Sequence, residues 1–232
     1  MSSARPLIKR LARGLRPVLL APLRFSIDAG HLRSALLCQA VDRSGQPLPW
    51  ITYPAIEFLS GLDWRGRRVL EWGAGNSTLW WVRRGAQVLA IEHSPAWIDE
   101  IRAQLPAGAP VELRCATDPE AYAAAPRDAA ARFDLAVIDG LARFRCAQAA
   151  LEVVAPSGGI VLDNAEQTWA EPGQPGYPII ELMRDHGWLR IDFHGFAPTV
   201  ARPHCTSLFF RPETTLFEGQ APPTRRPGIV PG

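Results

Sequence analysis

The sequence predicts an α/β fold, a mostly parallel sheet with helices on both of its faces. Three observations carry this reading. From about residue 54, strand-like apolar runs alternate with helical patterns, and such alternation builds parallel sheets. The last two extended runs, WLRIDFHG (188–195) and HCTSLFFR (204–211), follow each other with no helix between them, so they pair antiparallel. At 232 residues the chain has room for one sizeable α/β domain with modest extensions.

The elements follow in order. Leu7, Leu11, Leu15 and Val18 fall at helical spacing, with Lys9, Arg10, Arg13 and Arg16 mostly on other faces. This predicts a short basic amphipathic helix ending near Pro17. Three roles stay open for it: a loosely packed arm, contact with an anionic membrane surface, or a transit peptide. Residues 1–45 thus form an arm and lead-in helices ahead of a domain over 46–211. A helix at PAIEFLSGL leads through Asp63 to a first strand, RRVLEW. Then come a strand at 87–93, a helix at 95–105, a strand at 111–116 and a short helical stretch around 119–125. FDLAVIDG (133–140) is a strongly apolar strand, followed by a helix at 144–154, a strand at 158–164 and a helix at 177–187. From 212 to 232 the chain is Pro-rich, and a loose tail is expected.

Composition narrows the function. Hydrophobic content of 47% and charged content of 21% are those of a soluble globular protein. No apolar run approaches the ~20 residues of a membrane-spanning helix. Cys38, Cys115, Cys146 and Cys205 form no C-x-x-C pair, so buried reduced thiols in a cytoplasmic protein are expected. Lys9 is the only lysine, which removes lysine as a catalytic base from the core. Residues 1–27 carry six basic residues and no acid, while the remainder holds 19 basic and 23 acidic residues. The body therefore offers no basic stripe for nucleic acid.

The chemistry is concentrated in VLEWGAGNST (69–78). Gly73 and Gly75 permit a tight turn and close approach of a ligand to the backbone. Asn76, Ser77 and Thr78 are helix N-cap types that would present free N–H groups. A dinucleotide fingerprint would need a third glycine where Thr78 stands. Instead Glu71 precedes the first glycine by two places, which suits a cofactor with a cationic amino-acid moiety. Glu92 ends the second strand, where a carboxylate can accept from both ribose hydroxyls. The loop resembles motif I of the class I S-adenosylmethionine (SAM) methyltransferases.

That resemblance covers about residues 46–211. It is similar in detail to uncharacterised bacterial small-molecule methyltransferases, which share the Pro49–Ile56 lead-in, Glu71–Thr78, Ile138–Gly140, Leu162–Asn164 and Thr206–Phe210. It implies a Rossmann-like three-layer sandwich of seven strands with an antiparallel end, and SAM as cofactor held by Glu71, Gly73, Gly75, Asn76, Ser77 and Glu92. Asp118 stands where the adenine ring is usually met, as an acceptor for its amine or as a helix N-cap. Asp139 ends the fourth strand and Asp163-Asn164 the fifth, a pattern that looks like the catechol and caffeoyl-CoA O-methyltransferases. There such residues bind a metal, so Asp139, Asp163 and Asn164 become candidate Mg²⁺ ligands; a turn cap is the other reading of the Asp-Asn pair. The carry-over is incomplete, because the lysine base of those enzymes is missing and Arg143 follows instead.

Without a metal, the base would be Asp163, Asp139, or a histidine such as His194 or His204. Asp139 could also orient the substrate or the methionine amine. Arg143 and Arg145 read as anchors for an anionic substrate group or as a solvated helix start. Trp50 and Tyr53 read as a lid over the site or as packing for the next helix. The expected activity is methyl transfer to a hydroxyl of a small molecule, with no nucleic-acid partner. Aminopropyl transfer and a membrane-recruited, non-catalytic SAM-binding module are the alternatives. The expected location is cytoplasmic, with membrane-peripheral contact through residues 1–27 left open.

Overall fold

The computed structural model describes residues 4–168 and 177–220, with side chains from residue 14 onward. Two N-terminal helices, α1 (Ala4–Asp28) and α2 (His31–Leu37), precede α3 (Tyr53–Ser60). The core then runs β1 (Arg68–Trp72), α4 (Asn76–Arg83), β2 (Gln87–Glu92), α5 (Pro95–Gln104), β3 (Val111–Cys115) and α6 (Pro119–Ala124). It continues with β4 (Phe133–Ile138), α7 (Arg143–Val153), β5 (Val154–Leu162), α8 (Pro178–Asp185), β6 (Leu189–Gly195) and β7 (His204–Phe210). The sheet order is β3-β2-β1-β4-β5-β7-β6. Strands β1 to β5 pair parallel, while β7 lies antiparallel between β5 and β6. The expected seven-stranded α/β sandwich is the fold of the chain.

Strand parity builds its two cores. Leu70, Trp72, Ala136 and Ile138 face a layer containing Tyr122, Cys146 and Ala150. Val69, Leu135 and Val137 face the opposite layer with Ile56, Trp64, Trp80 and Trp81. Each such large apolar side chain contributes about 1.5–3 kcal/mol on burial. Glu71 has the parity of Val69, so its carboxylate is directed under α4. That placement decides its role below.

Four expectations change. Helix α1 does not stop near Pro17 but runs through Pro17 and Pro22 to Asp28. Its far end is held by Phe25, whose ring meets Tyr53 edge-on at 5.3 Å and lies near Phe196 at 6.3 Å. Strand β5 begins at Val154, four residues early, because Phe133 pairs with Val154 before the register shifts to Leu135–Gly159. The segment 212–220 is not loose: Leu216 is buried and Phe217 packs on Phe58 and Phe210. Gly159 makes room for it, since a Cβ there would lie 2.5 Å from Leu216 Cδ1. Two apolar residues inside a Pro-rich composition suffice to dock the chain; residues 221–232 lie outside the described residues. Finally, only Cys146 and Cys205 are buried thiols, and Cys38 and Cys115 are exposed.

Candidate active site

The strand order reverses between β1 and β4, and ligands of open α/β sheets bind at such a switch point. A cleft of about 520 Å³ lies at the carboxyl ends of β1, β2 and β4, within the usual size range of small-molecule sites. Gly73, Gly75, Asn76, Ser77, Glu92, Asp139 and Trp50 all line it. Among the described residues, the sequence expectation and the cavity therefore coincide at seven positions.

The loop after β1 is fixed by its own hydrogen bonds. Gly73 sits at φ 106°, in the region that favours glycine, and its N–H donates to Ile91 O at 2.9 Å. Gly75 N–H donates to Thr78 Oγ1 at 3.1 Å. Asn76 and Ser77 open α4, whose first turn has backbone N–H groups without intrahelical acceptors. Asn76 Nδ2 also donates to Ala40 O at 2.8 Å, tying the segment after α2 to the cleft. A Cβ at Gly75 would meet only Trp97 Nε1, at 4.0 Å, so that position faces open space.

Across the cleft, Glu92 Oε1 accepts from the N–H groups of His93 and Ser94 at 2.8 and 2.9 Å. His93 Nδ1 lies 2.7 Å from the same oxygen. No donor among the described residues reaches Oε2, which leaves an acceptor on a nearly buried carboxylate. Sequence reasoning missed Trp97, whose indole donates to Ala74 O at 2.6 Å and lines the cleft. Its place in the first turn of α5, just after Glu92, was the available signal. It also missed the stretch Cys38–Ala40, for which no sequence motif exists.

Several expected residues have other duties. Glu71 is fully buried and lies beneath the loop, not in the cleft. Thr78 Oγ1 donates to its Oε2 at 2.6 Å and Trp81 Nε1 to its Oε1 at 2.8 Å. Burial pushes its carboxyl up to about 7, against the pull of Thr78, Ser77 and Trp81. Asp118 is the N-cap of α6, accepting from the N–H groups of Glu120 and Ala121 at 3.1 and 2.8 Å. Tyr53 is buried against Phe25 and His31, so it packs the lead-in helices while Trp50 stands at the cleft rim. His194 lies exposed on the edge strand β6, apart from the cleft lining. Its neighbours there are Asp192 and Cys205, and the ligand atoms of the three lie within 4.8 Å of one another. Arg190 Nε lies 3.1 Å from Asp192 Oδ1 and supplies positive charge to that group.

Arg143 is no solvated helix start, because its guanidinium is turned into the fold. Its Nη2 donates to Asp139 Oδ1 at 3.0 Å and to Asp139 O at 3.1 Å, Nε donates to Gly140 O at 3.2 Å, and Nη1 donates to Asp163 O. The guanidinium thus clamps the ends of β4 and β5. Asp163 is nearly buried and accepts from Thr206 Oγ1 at 2.7 Å, while Asn164 Nδ2 lies 3.3 Å from His204 Nδ1. A cation, the Arg143 guanidinium, already stands between the two strand ends, and Thr206 and His204 engage Asp163 and Asn164. The donor set does not fit Mg²⁺. Burial raises both carboxyls, and Asp163 raises Asp139 further while Arg143 lowers both. Asp139 keeps 28% of its side chain exposed towards the cleft, so water tempers its shift. Arg143→Met is expected to lower stability by about 3 kcal/mol, because it strands a partly buried carboxylate and three carbonyls. Urea denaturation reads this, and an unchanged midpoint would refute the clamp.

No protein-family model matches the chain, and no curated protein does. Solved structures do match. An O-methyltransferase from Bacillus cereus, in complex with SAH, aligns with a TM-score of 0.55 at 18% identity, over 78% of this chain and 91% of that one. Cofactor-bound Rv0187 from MTB aligns with a TM-score of 0.54 at 23% identity, over 85% and 97%. A putative O-methyltransferase from Klebsiella pneumoniae gives 0.53 at 21%, over 73% and 84%. The chain has a methyltransferase fold. At these identities the likeness concerns the fold, and the chemistry has to be argued from the cleft.

Proposed function

We propose that this chain is a SAM-dependent methyltransferase whose acceptor is a small molecule offering a hydroxyl oxygen. The observation that carries this is the convergence of the Gly73–Ser77 loop, Glu92 and Asp139 on one cleft at the switch point of the sheet. The cradle fits a nucleoside with an amino-acid arm. Gly75 leaves space that a side chain would fill, Glu92 Oε2 can accept from ribose hydroxyls, and Asp139 can accept from an ammonium group.

Bound there, the cofactor would supply an electrophilic methyl group on its sulfonium. The chain's task is to position the acceptor and take up its proton. Of the expected bases, Asp139 alone lines the cleft. Its Oδ1 accepts from Arg143, and burial with Asp163 raises its carboxyl, so it can take the acceptor's proton in place of an ammonium contact.

Calorimetric titration with S-adenosylhomocysteine tests the reading. Micromolar binding is expected, with no binding of NAD at the same concentrations. Failure of S-adenosylhomocysteine to bind the folded chain would overturn it.

A further inference from the structure

The N-terminal region presents an apolar surface that the fold leaves uncovered. On α1, successive residues turn by about 100°, which puts Leu15, Val18, Leu19 and Pro22 on one stripe and Arg16 and Arg24 on the other side. Residues 14–25 are all exposed, Leu20 and Leu23 off the stripe included, and within the stripe Leu15, Val18 and Leu19 stand 54%, 67% and 69% exposed. In the sequence the same spacing continues back to Leu7 and Leu11. No described helix is long and apolar enough to cross a membrane. A basic helix with one apolar face lies along a bilayer surface instead.

The surface leads to the cleft. Helix α2 exposes Leu32, Leu36 and Leu37, and Cys38, Gln39 and Ala40, which follow directly, line the cleft mouth. Trp50 stands half exposed on the same rim. Phe25, packed on Tyr53, couples α1 to this region of the body. The charge pattern selects the occupant. Residues 1–27 hold six basic residues and no acid, while the rest of the chain has an acidic excess. An anionic bilayer would attract the first and not the second, which selects α1 as the docking element.

We propose that α1 lies in the surface of an anionic bilayer with the cleft mouth at Trp50 turned to the lipid, so that the methyl acceptor is an amphiphile that enters from the membrane. The docking half stands by itself; the acceptor half rests on the methyltransferase reading above.

The test uses the full chain and vesicles of phosphatidylcholine with or without phosphatidylglycerol. At least about tenfold more protein is expected to sediment with the anionic vesicles, and Val18→Glu/Leu19→Glu to abolish the difference. Equal sedimentation with both vesicles, or an unaffected double variant, would overturn docking. So would a dimer in solution that the double variant dissociates without any vesicle binding, since a second copy would then cover the face. Brominated lipid is expected to quench the fluorescence that Trp50→Phe removes. A docked protein whose Trp50 is not quenched would overturn the acceptor half. The double variant is expected to keep wild-type affinity for S-adenosylhomocysteine. Loss of that affinity in the variant would show a disturbed fold and overturn the assignment of Val18 and Leu19 to docking. Loss in the wild type as well would count against the methyltransferase reading and leave the docking result intact.

Discussion

Gly75→Leu is expected to weaken S-adenosylhomocysteine binding at least about hundredfold, or about 3 kcal/mol, while leaving the unfolding midpoint close to wild type. The two effects separate because of where the Cβ points. Gly75 has φ −179°, an extended conformation open to any residue. Its added Cβ meets no packed atom closer than Trp97 Nε1 at 4.0 Å. The Gly75 N–H that holds Thr78 is a backbone group and survives the change. What the leucine occupies is cleft volume, so the ligand carries the whole cost. Gly73→Arg is the contrasting case. Gly73 has φ 106°, and a Cβ there would lie 3.1 Å from Gly140 N and 3.2 Å from Asp139 C. It should lose binding and about 1–3 kcal/mol of stability together. Calorimetry paired with urea denaturation distinguishes the two. Wild-type affinity in folded Gly75→Leu would show that the ligand does not lie over this loop.

The difference between these two glycines was not legible in the sequence, where both simply alternate with Ala74. Element order was legible, because burial on both faces of the sheet gives long apolar runs such as FDLAVI, and periodicity reports that directly. The site's general place was legible for the same reason: Glu92 and Asp139 each lie at the carboxyl end of a strand. Side-chain direction was less so. Glu71 looked like a ligand because it adjoins the glycines, yet its parity with Val69 already placed it on the face covered by α4. The inward engagement of Arg143 was hidden because nothing in a linear motif shows that β4 and β5 end side by side, with one carboxylate and three carbonyls for its guanidinium. The strand order that inserts β7 beside β5 has the same origin. It depends on contacts between residues far apart in the chain, such as Leu162 with Ser207.

Glu71 yields the second large effect, and its sign follows from its burial. In the unfolded chain its carboxyl titrates near the ordinary value of 4.5, and burial in the fold pushes it to about 7. Between those values the folded state binds the extra proton, so stability falls as pH rises through that interval. Below it the group is protonated in both states and contributes no penalty; above it the penalty is full, about 3 kcal/mol. Asp139 and Asp163 are raised as well and slope the same way. The measurement is therefore the difference between wild type and Glu71→Gln. At pH 5 the two should be similar, and at pH 8 the variant should be the more stable, by up to about 3 kcal/mol. The amide will recover less than that. Its oxygen can accept from Trp81, but its nitrogen then faces Thr78 Oγ1, which already accepts from Gly75 N–H. Glu71→Ala should behave differently and lose about 4 kcal/mol at low pH, because it leaves a cavity with two buried donors unpaired. Parallel stability curves for wild type and Glu71→Gln would refute the assignment. If they diverge as expected, Glu71 acts on the cleft without touching its ligand. Its charge is among the causes that raise Asp139, and a cationic ligand would lower both carboxyls together and release protons on binding near pH 7.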